Sequence, residues 1–503
     1  MPAELDNLTE SVQRLLGLQQ AQTFSPEDIT ADAMGRLLAT RGDVSRLQRF
    51  WDPAAEAGPN LVAGWDEGEH RPVLHSLRRV LDASMVVQRR NDGRPKSFLP
   101  FAPEFVGVER VSTIYRDLGR SVVEGLWGRP TQEDLRTQLR NRLQTWGGRH
   151  PLGLLLGPLC PAKAPQKDGA PSLLNDVISG DEQLRVWVDN VVTEDWSAWL
   201  RASESLSIDE QIETMTGLIG LHLHTCLMRR LGRGHDQTIP AYYFVAVDAS
   251  GVDPACARAA YNCFGFWRER AGAALQFAAE QAIEKLAGQE REFRRALDEG
   301  TWQAGRYWAT ARIQGGRKAA RATEEFGKSL QSSIDDRVSG TAPEKEDVFK
   351  LAVTALVNAF DTPSGVAAKV KDHLRGYGRA AGIVGPEGRT SRKRYQLDER
   401  AIGLLARLHA HRDPDLVRSF DDERKSVDAL LDDIFDRYGI VITRERESVN
   451  SRLEEDRGVL APLLRHFPAE QPMRDNRARL DRRLDELRLV RRYSDASAVI
   501  YIP

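Results

Sequence analysis

Three stretches of this chain carry side chains of the types that do chemistry. "LHLHTC" sets out His222, His224 and Cys226 at two-residue spacing, with His235, Cys256 and Cys263 further on. Imidazole and thiolate are zinc ligands, and His222 and Cys226, four apart, share one helix face. The run has no CxxC or HxxxH pair and its neighbours are Leu, Ile and Met, so it reads as the apolar surface of a core helix. "YYFVAVDASG" puts Asp248 at a strand end with Asp253 five residues on. Carboxylates at strand ends hold Mg²⁺ for phosphodiester cleavage, whereas a turn followed by an N-cap accounts for the same two residues without chemistry. "DPDLVRSFDDERK" (413–425) contains Pro414-Asp415 followed by Glu423-x-Lys425, the spacing of a metal-dependent nuclease signature. That chemistry needs its acidic pair and lysine on adjacent strands, and this stretch runs directly into the helical pattern "SVDALLDDIF". "GIVGPEGRTS" (382–391) misses a phosphate-binding loop by one residue between Gly382 and Gly388, and has Arg389 where lysine is needed. GxSxG, HExxH and a Rossmann GxGxxG are absent. The expectation is a non-enzymatic chain with no cofactor and no metal. A metal-dependent nuclease is the alternative.

Arginine is more informative. The chain ends "RLDRRLDELRLVRRYSDASAVIYIP" (479–503), in which Leu480, Leu484 and Leu487 form one apolar stripe and Arg479, Arg482 and Arg483 lie off it. "LVRRY" and "AVIYI" are β-prone runs around the turn residues "SDAS". Upstream, "SVDALLDDIFDRYGIVI" and "GVLAPLLRHFP" read as two more amphipathic helices. Three helices closed by a hairpin is the order of a winged helix-turn-helix, whose third helix enters a major groove while the wing touches the backbone. In that arrangement the hairpin covers the helix's apolar face. Arg477, Arg479, Arg482, Arg483, Arg491 and Arg492 are then the expected contacts with double-stranded DNA. Asp475, Asp481, Asp485 and Glu486 dilute this charge, and the same shape serves equally in protein docking. A second basic stretch, Arg389, Arg392, Lys393 and Arg394, falls in the glycine- and arginine-rich segment 375–395, expected to be an exposed loop. "WQAGRYWATARIQGGRKAAR" (302–321) interleaves Trp302, Tyr307 and Trp308 with Arg306, Arg312, Arg317 and Lys318, and reads better as aromatic core packing than as a base-stacking platform.

The elements that would position these residues are mostly helices. "SPEDITADAMGRLLAT" opens on Ser25 as N-cap with Pro26 at the first helical position. "HRPVLHSLRRVLDASMVVQRR" has helical spacing, and "TQEDLRTQLRNRLQTW" is a helix with Thr131 as cap. "SIDEQIETMTGLIGLHLHTCLMRRLGRG" ends at Gly232, "IPAYYFVAVDASG" is a strand, and Asp253-Pro254 starts a long helix. Composition agrees with a folded helical protein: 503 residues, 41% hydrophobic and 29% charged. The 71 Lys and Arg nearly balance the 73 Asp and Glu, so any polyanion-binding surface is local. Four cysteines, Cys160 included, are too few for a disulfide scaffold, no run of 18 apolar residues occurs, and the acidic start is unlike a secretory signal; a cytoplasmic protein off the membrane is expected. The expected architecture is mainly α and multidomain: an N-terminal helical domain (1–156), a central helical domain with one or more short strands (173–340), a helical connector with the basic loop (347–412) and a winged-helix domain (413–503). "GPLCPAKAPQKDGAPS" (157–172) is the linker and "DDRVSGTAPEKED" (335–347) a boundary.

From "RYQLDERAIGLLARL" through "LLDDIFDRYGIVI" to the terminal hairpin, the chain resembles segments of uncharacterised helical accessory proteins from bacterial phage-defence islands. Those proteins partner helicase or HerA/FtsK-like ATPases. The resemblance covers about a quarter of the chain and brings no catalytic residues with it. It implies a DNA-binding or complex-assembly subunit of an antiviral defence or DNA-processing system, with other protein subunits, among them an ATPase, as partners. A protein-only assembly scaffold is the rival reading.

Overall fold

Helices form where apolar residues recur three and four apart and where the ends are capped. The computed structural model describes residues 26–38, 121–146, 173–233, 238–247, 253–289, 366–386, 392–413, 425–492 and 498–501, with short pieces at 41–42, 79–80, 86–89, 95–98, 119, 149–150, 162–163, 350, 353–354 and 357. Among the described residues there are thirteen α-helices and only short strands, so the chain is mainly α as expected. In order they are α1 (Pro26–Leu38), α2 (Glu133–Gln144), α3 (Leu173–Ser179), α4 (Glu182–Trp187), α5 (Thr193–Ala202), α6 (Ile208–Leu231), α7 (Pro254–Gln289), α8 (Val366–Ala380), α9 (Glu399–Arg412), α10 (Val427–Tyr438), α11 (Glu447–Glu455), α12 (Arg457–Leu464) and α13 (Glu470–Glu486). None of them is long and apolar enough to cross a membrane.

Helix α6 lies inside the core. Ser207 and Glu210 form a capping box at its start: Ser207 Oγ accepts from the Glu210 N–H at 3.3 Å and Glu210 Oε2 accepts from the Ser207 N–H at 2.9 Å. Every residue from Met215 to Met228 is buried, the behaviour of a helix that is apolar all round. Helix α8 crosses it closely at Gly220, where a Cβ would stand 2.5 Å from the Ala380 Cβ. Helix α5 packs against α9, and α9 also contacts α6.

The expected strand near 243 is present as β5 (Tyr243–Phe244) and β6 (Ala246–Val247), which follow β1 (Arg41–Gly42), β2 (Val86–Arg89), β3 (Pro95–Phe98) and β4 (Ala162–Lys163), the last paired antiparallel with β1. All five residues from Tyr243 to Val247 are fully buried. Next in the chain come β7 (Val384–Gly385), β8 (Arg394–Leu397) and β9 (Ile440–Val441). β5 runs parallel to β9, with Tyr243 opposite Ile440, and β6 runs parallel to β8, with Ala246 opposite Gln396; β7 lies antiparallel to β8. Parallel strands are covered on both faces, which is why this one reads as an unbroken apolar run. Helices α7 and α13 pack against these strands. Segments 173–340, 347–412 and 413–503 therefore all supply strands to this pairing. At the turn from α10 into β9, Gly439 is left-handed (φ +71), and a Cβ there would collide with the Ala241 carbonyl oxygen.

Asp253 caps α7 as expected, its Oδ1 accepting from the Ala255 N–H at 2.8 Å and the Cys256 N–H at 3.1 Å. Three local expectations are corrected. The helical pattern over 70–90 gives way at Val86–Arg89 to a strand paired with Pro95–Phe98, where β-branched valines suit the strand. Thr131 does not cap α2, because Pro130 opens a 3₁₀ turn one residue earlier (Pro130–Gln132) that already contains it. The Gln132 side chain instead accepts from the Arg129 N–H at 3.3 Å and donates to Thr193 Oγ1 at 2.9 Å. The segment 375–395 is not one loop: α8 continues to Ala380, and β7 and β8 pair with Val384 opposite Tyr395. Ser25, most of the 157–172 linker, 302–321 and 335–347 lie outside the described residues.

Candidate nucleic-acid interface

The C-terminal elements run helix (α10), strand (β9), helices (α11, α12), helix (α13) and hairpin, the hairpin being β10 (Val490–Arg492) paired antiparallel with β11 (Ala498–Ile500). Ser426 caps α10, its Oγ accepting from the Ala429 N–H at 3.0 Å, and also bridges to Val499 of β11. The strand after the first helix pairs with the body at β5 and not with the hairpin.

Helix α13 buries Met473, Asn476, Leu480 and Leu484, a stripe at helical spacing that extends the expected one toward the N-terminus; Leu487 is half-buried. This stripe meets β6 and α7, so the body covers the helix's apolar face, and the hairpin only closes its C-terminal end. Asn476 is the pin. Its Oδ1 accepts from the Val247 N–H at 2.9 Å, and its Nδ2 donates to the Val245 and Ile442 carbonyls at 3.0 Å each. A fully buried amide is tolerated here because every group it meets is satisfied.

The arginines divide by partner. Arg477 is half-buried between Asp428 (2.7 Å) and Asp481 (3.1 Å). Arg483 pairs with Glu399 and Glu486, and Arg492 with Asp485 at 2.5 Å. Arg479 is half-buried. Arg482 and Arg488 are exposed with no ion-pair partner among the described residues, and exposed Arg491 lies 4.8 Å above the Tyr501 ring. From Glu470 to Arg492 there are eight arginines against five carboxylates. Of the second basic stretch, Arg392 is exposed, Lys393 Nζ donates to the Pro386 carbonyl, Arg394 is half-buried at the start of β8, and Arg389 lies outside the described residues. Arg483 of the first basic stretch pairs with Glu399, which opens α9 five residues after Arg394 of the second.

The densest charge cluster was not legible in the sequence. Asp195 of α5, fully buried, accepts from His222 Nε2 (3.0 Å), Arg412 Nη2 (2.9 Å), Arg437 Nη1 (3.4 Å) and the Tyr438 hydroxyl (2.6 Å). Asp433 accepts from His409 Nδ1 (3.0 Å), Arg437 Nε (2.8 Å) and Arg412 Nη1. Arg437 also reaches Glu194, and its carbonyl accepts from Trp187 Nε1 at 2.9 Å. Burial alone would push the Asp195 carboxyl up; the His222 hydrogen bond and the Arg412 and Arg437 guanidinium groups outweigh it and hold the acid below its ordinary range. Asp433 is held down in the same way by His409, Arg412 and Arg437 against its own burial. The cluster ties α5, α6, α9 and α10 together, and Asp195 and His222 at its centre have no exposed surface: it is a clamp between helices. The helix-cap rule finds none of this, since its members lie up to 243 residues apart.

The metal-capable residues are accounted for similarly. His222 is committed to Asp195, His224 and Cys226 are buried, and burial pulls His224 down to about 3 and pushes the Cys226 thiol up to about 12. Among the described residues no three His, Cys, Asp or Glu side chains are grouped to hold a metal. Asp253 is an N-cap, while Asp248, His235, Pro414, Asp415 and Glu423 lie outside the described residues; Lys425 is buried. No family model, curated protein or solved structure matches this chain.

Proposed function

We propose that this chain is a non-catalytic subunit that contacts the backbone of double-stranded DNA through a winged-helix-like C-terminal unit and assembles with other protein subunits, an ATPase among them. The observation that carries this reading is the two-sidedness of α13. Its inner face is pinned to the body by Asn476, and its outer face and the adjoining hairpin present Arg482, Arg488 and Arg491 to solvent. The element order of α10, β9, α11, α12, α13 and hairpin supports a winged helix whose first strand has been recruited by the body. Exposed pairs such as Arg492 with Asp485 contribute about 0–1 kcal/mol, so such an arginine can exchange its carboxylate for a phosphate at little cost. A setting in antiviral defence or DNA processing follows from the resemblance of the C-terminal quarter.

The test is anisotropy of a labelled duplex over 50–200 mM salt, comparing the full-length protein with an Arg482/Arg488/Arg491→Ala variant. Three phosphate contacts contribute a slope of about −2.7 in log affinity against log salt, which is roughly 40-fold over that range. Equal slopes for the two proteins refute this surface as the contact. A protein-only scaffold has one observation in its favour: Arg477, Arg483 and Arg492 already pair internally. That reading gains if neither protein binds duplex at 50 mM salt and the same three substitutions disrupt a purified complex.

A further inference from the structure

Beside α12 lies a cleft of about 320 Å³ lined by Arg444, Glu454, Arg457, Ala461, Leu464 and Arg465. That volume is at the lower end of small-molecule sites, roughly 300–1,000 Å³. Three guanidinium groups face one carboxylate, and Glu454 is already taken by Arg457, Nη1 to Oε2 at 2.9 Å. Arg444, leaving the sheet two residues after Ile442, is held 5.3 Å above the Phe467 ring, and its Nε is buried without a hydrogen-bond partner among the described residues. Arg465 donates to His466 Nε2 at 3.4 Å and forms no ion pair among the described residues. Burial and the Arg465 charge hold His466 below its ordinary value, with Glu269 opposing them. Burial also lowers Arg444; Glu454 opposes this and the like charge of Arg457 adds to it. Arg457 and Arg465 are exposed and screened by water, so the cost falls on Arg444, whose buried, unused Nε donor an anion in the cleft would satisfy. Planar guanidinium groups lining a small cleft suit tetrahedral oxyanions, which accept two parallel N–H bonds from one arginine. Ala461 and Leu464 add an apolar wall for whatever carries the anion.

We infer that this cleft is a binding site for a phosphoryl group, built from Arg444 before α11 and from Arg457 and Arg465 at the two ends of α12, and separate from the α13 surface. It stands on its own observations, whatever becomes of the α13 contact. The phosphoryl group belongs either to a nucleic-acid backbone or to a free phosphorylated small molecule, and the chemistry of recognition is the same.

The experiment titrates the full-length protein with inorganic phosphate by calorimetry and by thermal shift, with sodium chloride at equal ionic strength as reference. Three proteins are compared: wild type, Arg457→Gln/Arg465→Gln, and Glu454→Gln, which removes the one carboxylate among the described residues lining the cleft. Phosphate is expected to bind about tenfold or more weakly in the double variant, the worth of one charge-assisted hydrogen bond, and several-fold more tightly in Glu454→Gln. The gain in Glu454→Gln keeps the test decisive even if removing arginines disturbs folding. Stabilisation no greater than that from chloride, or equal affinity in all three proteins, overturns the site. With a duplex oligonucleotide as second probe, affinity that follows the same order identifies a nucleic-acid backbone as the source. Duplex affinity indifferent to these substitutions, with phosphate affinity following them, identifies a free phosphorylated ligand. Loss of duplex binding on substituting Arg482, Arg488 and Arg491, with phosphate binding intact, separates the two surfaces.

Discussion

Replacing Asp195 by Asn removes one negative charge from the centre of the core while keeping its shape. Four donors converge on this fully buried carboxylate, two of them guanidinium groups. Arg412 and Arg437 retain Asp433, and Arg437 also keeps the exposed Glu194, so the variant breaks the buried Arg412–Asp195 pair and leaves two guanidinium groups sharing one buried carboxylate. Breaking a buried pair by removing one partner costs about 3–5 kcal/mol. The Asn amide also turns an NH₂ toward groups that are themselves donors. With an m-value of about 3 kcal/mol/M in urea, the unfolding midpoint falls by about 1–1.7 M. Tryptophan fluorescence reports it directly, since the Trp187 and Trp196 rings lie 5.8 and 6.1 Å from the His222 ring. The folded acid is held below its ordinary value, so its contribution is complete above the unfolded pKa of about 3.9 and is lost as pH falls through the folded value. The gap between wild type and Asp195→Asn is therefore constant from pH 5 to 7 and closes below about pH 4. A midpoint shift under about 0.3 M, or a gap that widens with acid, refutes the clamp.

Two further substitutions probe what positions the basic surface. Asn476→Ala strands the Val247 N–H and the Val245 and Ile442 carbonyls in the core; at about 1–3 kcal/mol per unsatisfied group the loss is about 3 kcal/mol or more, read as roughly 100-fold faster hydrogen exchange at the Val247 amide. Unchanged protection there would mean that α13 is held by its leucines alone. Gly439→Ala forces a left-handed Ala and a clash with the Ala241 carbonyl oxygen, costing about 2 kcal/mol or more and lowering the urea midpoint; a neutral result would show that the α10–β9 turn can relax.

Features that depend on near neighbours were legible in the chain. The start of α1 at Pro26, the end of α6 beside Gly232, the Asp253 cap and the apolar run at 243–247 all follow from periodicity and from side chains within four residues of the backbone groups they satisfy. The reading of His222, His224 and Cys226 as core residues rested on their Leu, Ile and Met neighbours, and burial agrees. Where two local signals competed, as between helical spacing over 70–90 and the β-branched Val86-Val87, pairing with Pro95–Phe98 decided for the strand. The choice of partners came with the folded arrangement. An arginine's place in the sequence states its charge but not which carboxylate it meets: Arg477 finds Asp428, Arg483 finds Glu399 and Arg412 finds Asp195, 217 residues away. Those choices divide the basic residues into clamps and exposed cations, because a charge enters the core only opposite a counter-charge that the fold delivers. For the same reason the Asp195 clamp and the arginine cleft, each assembled from separate elements, exist only in three dimensions.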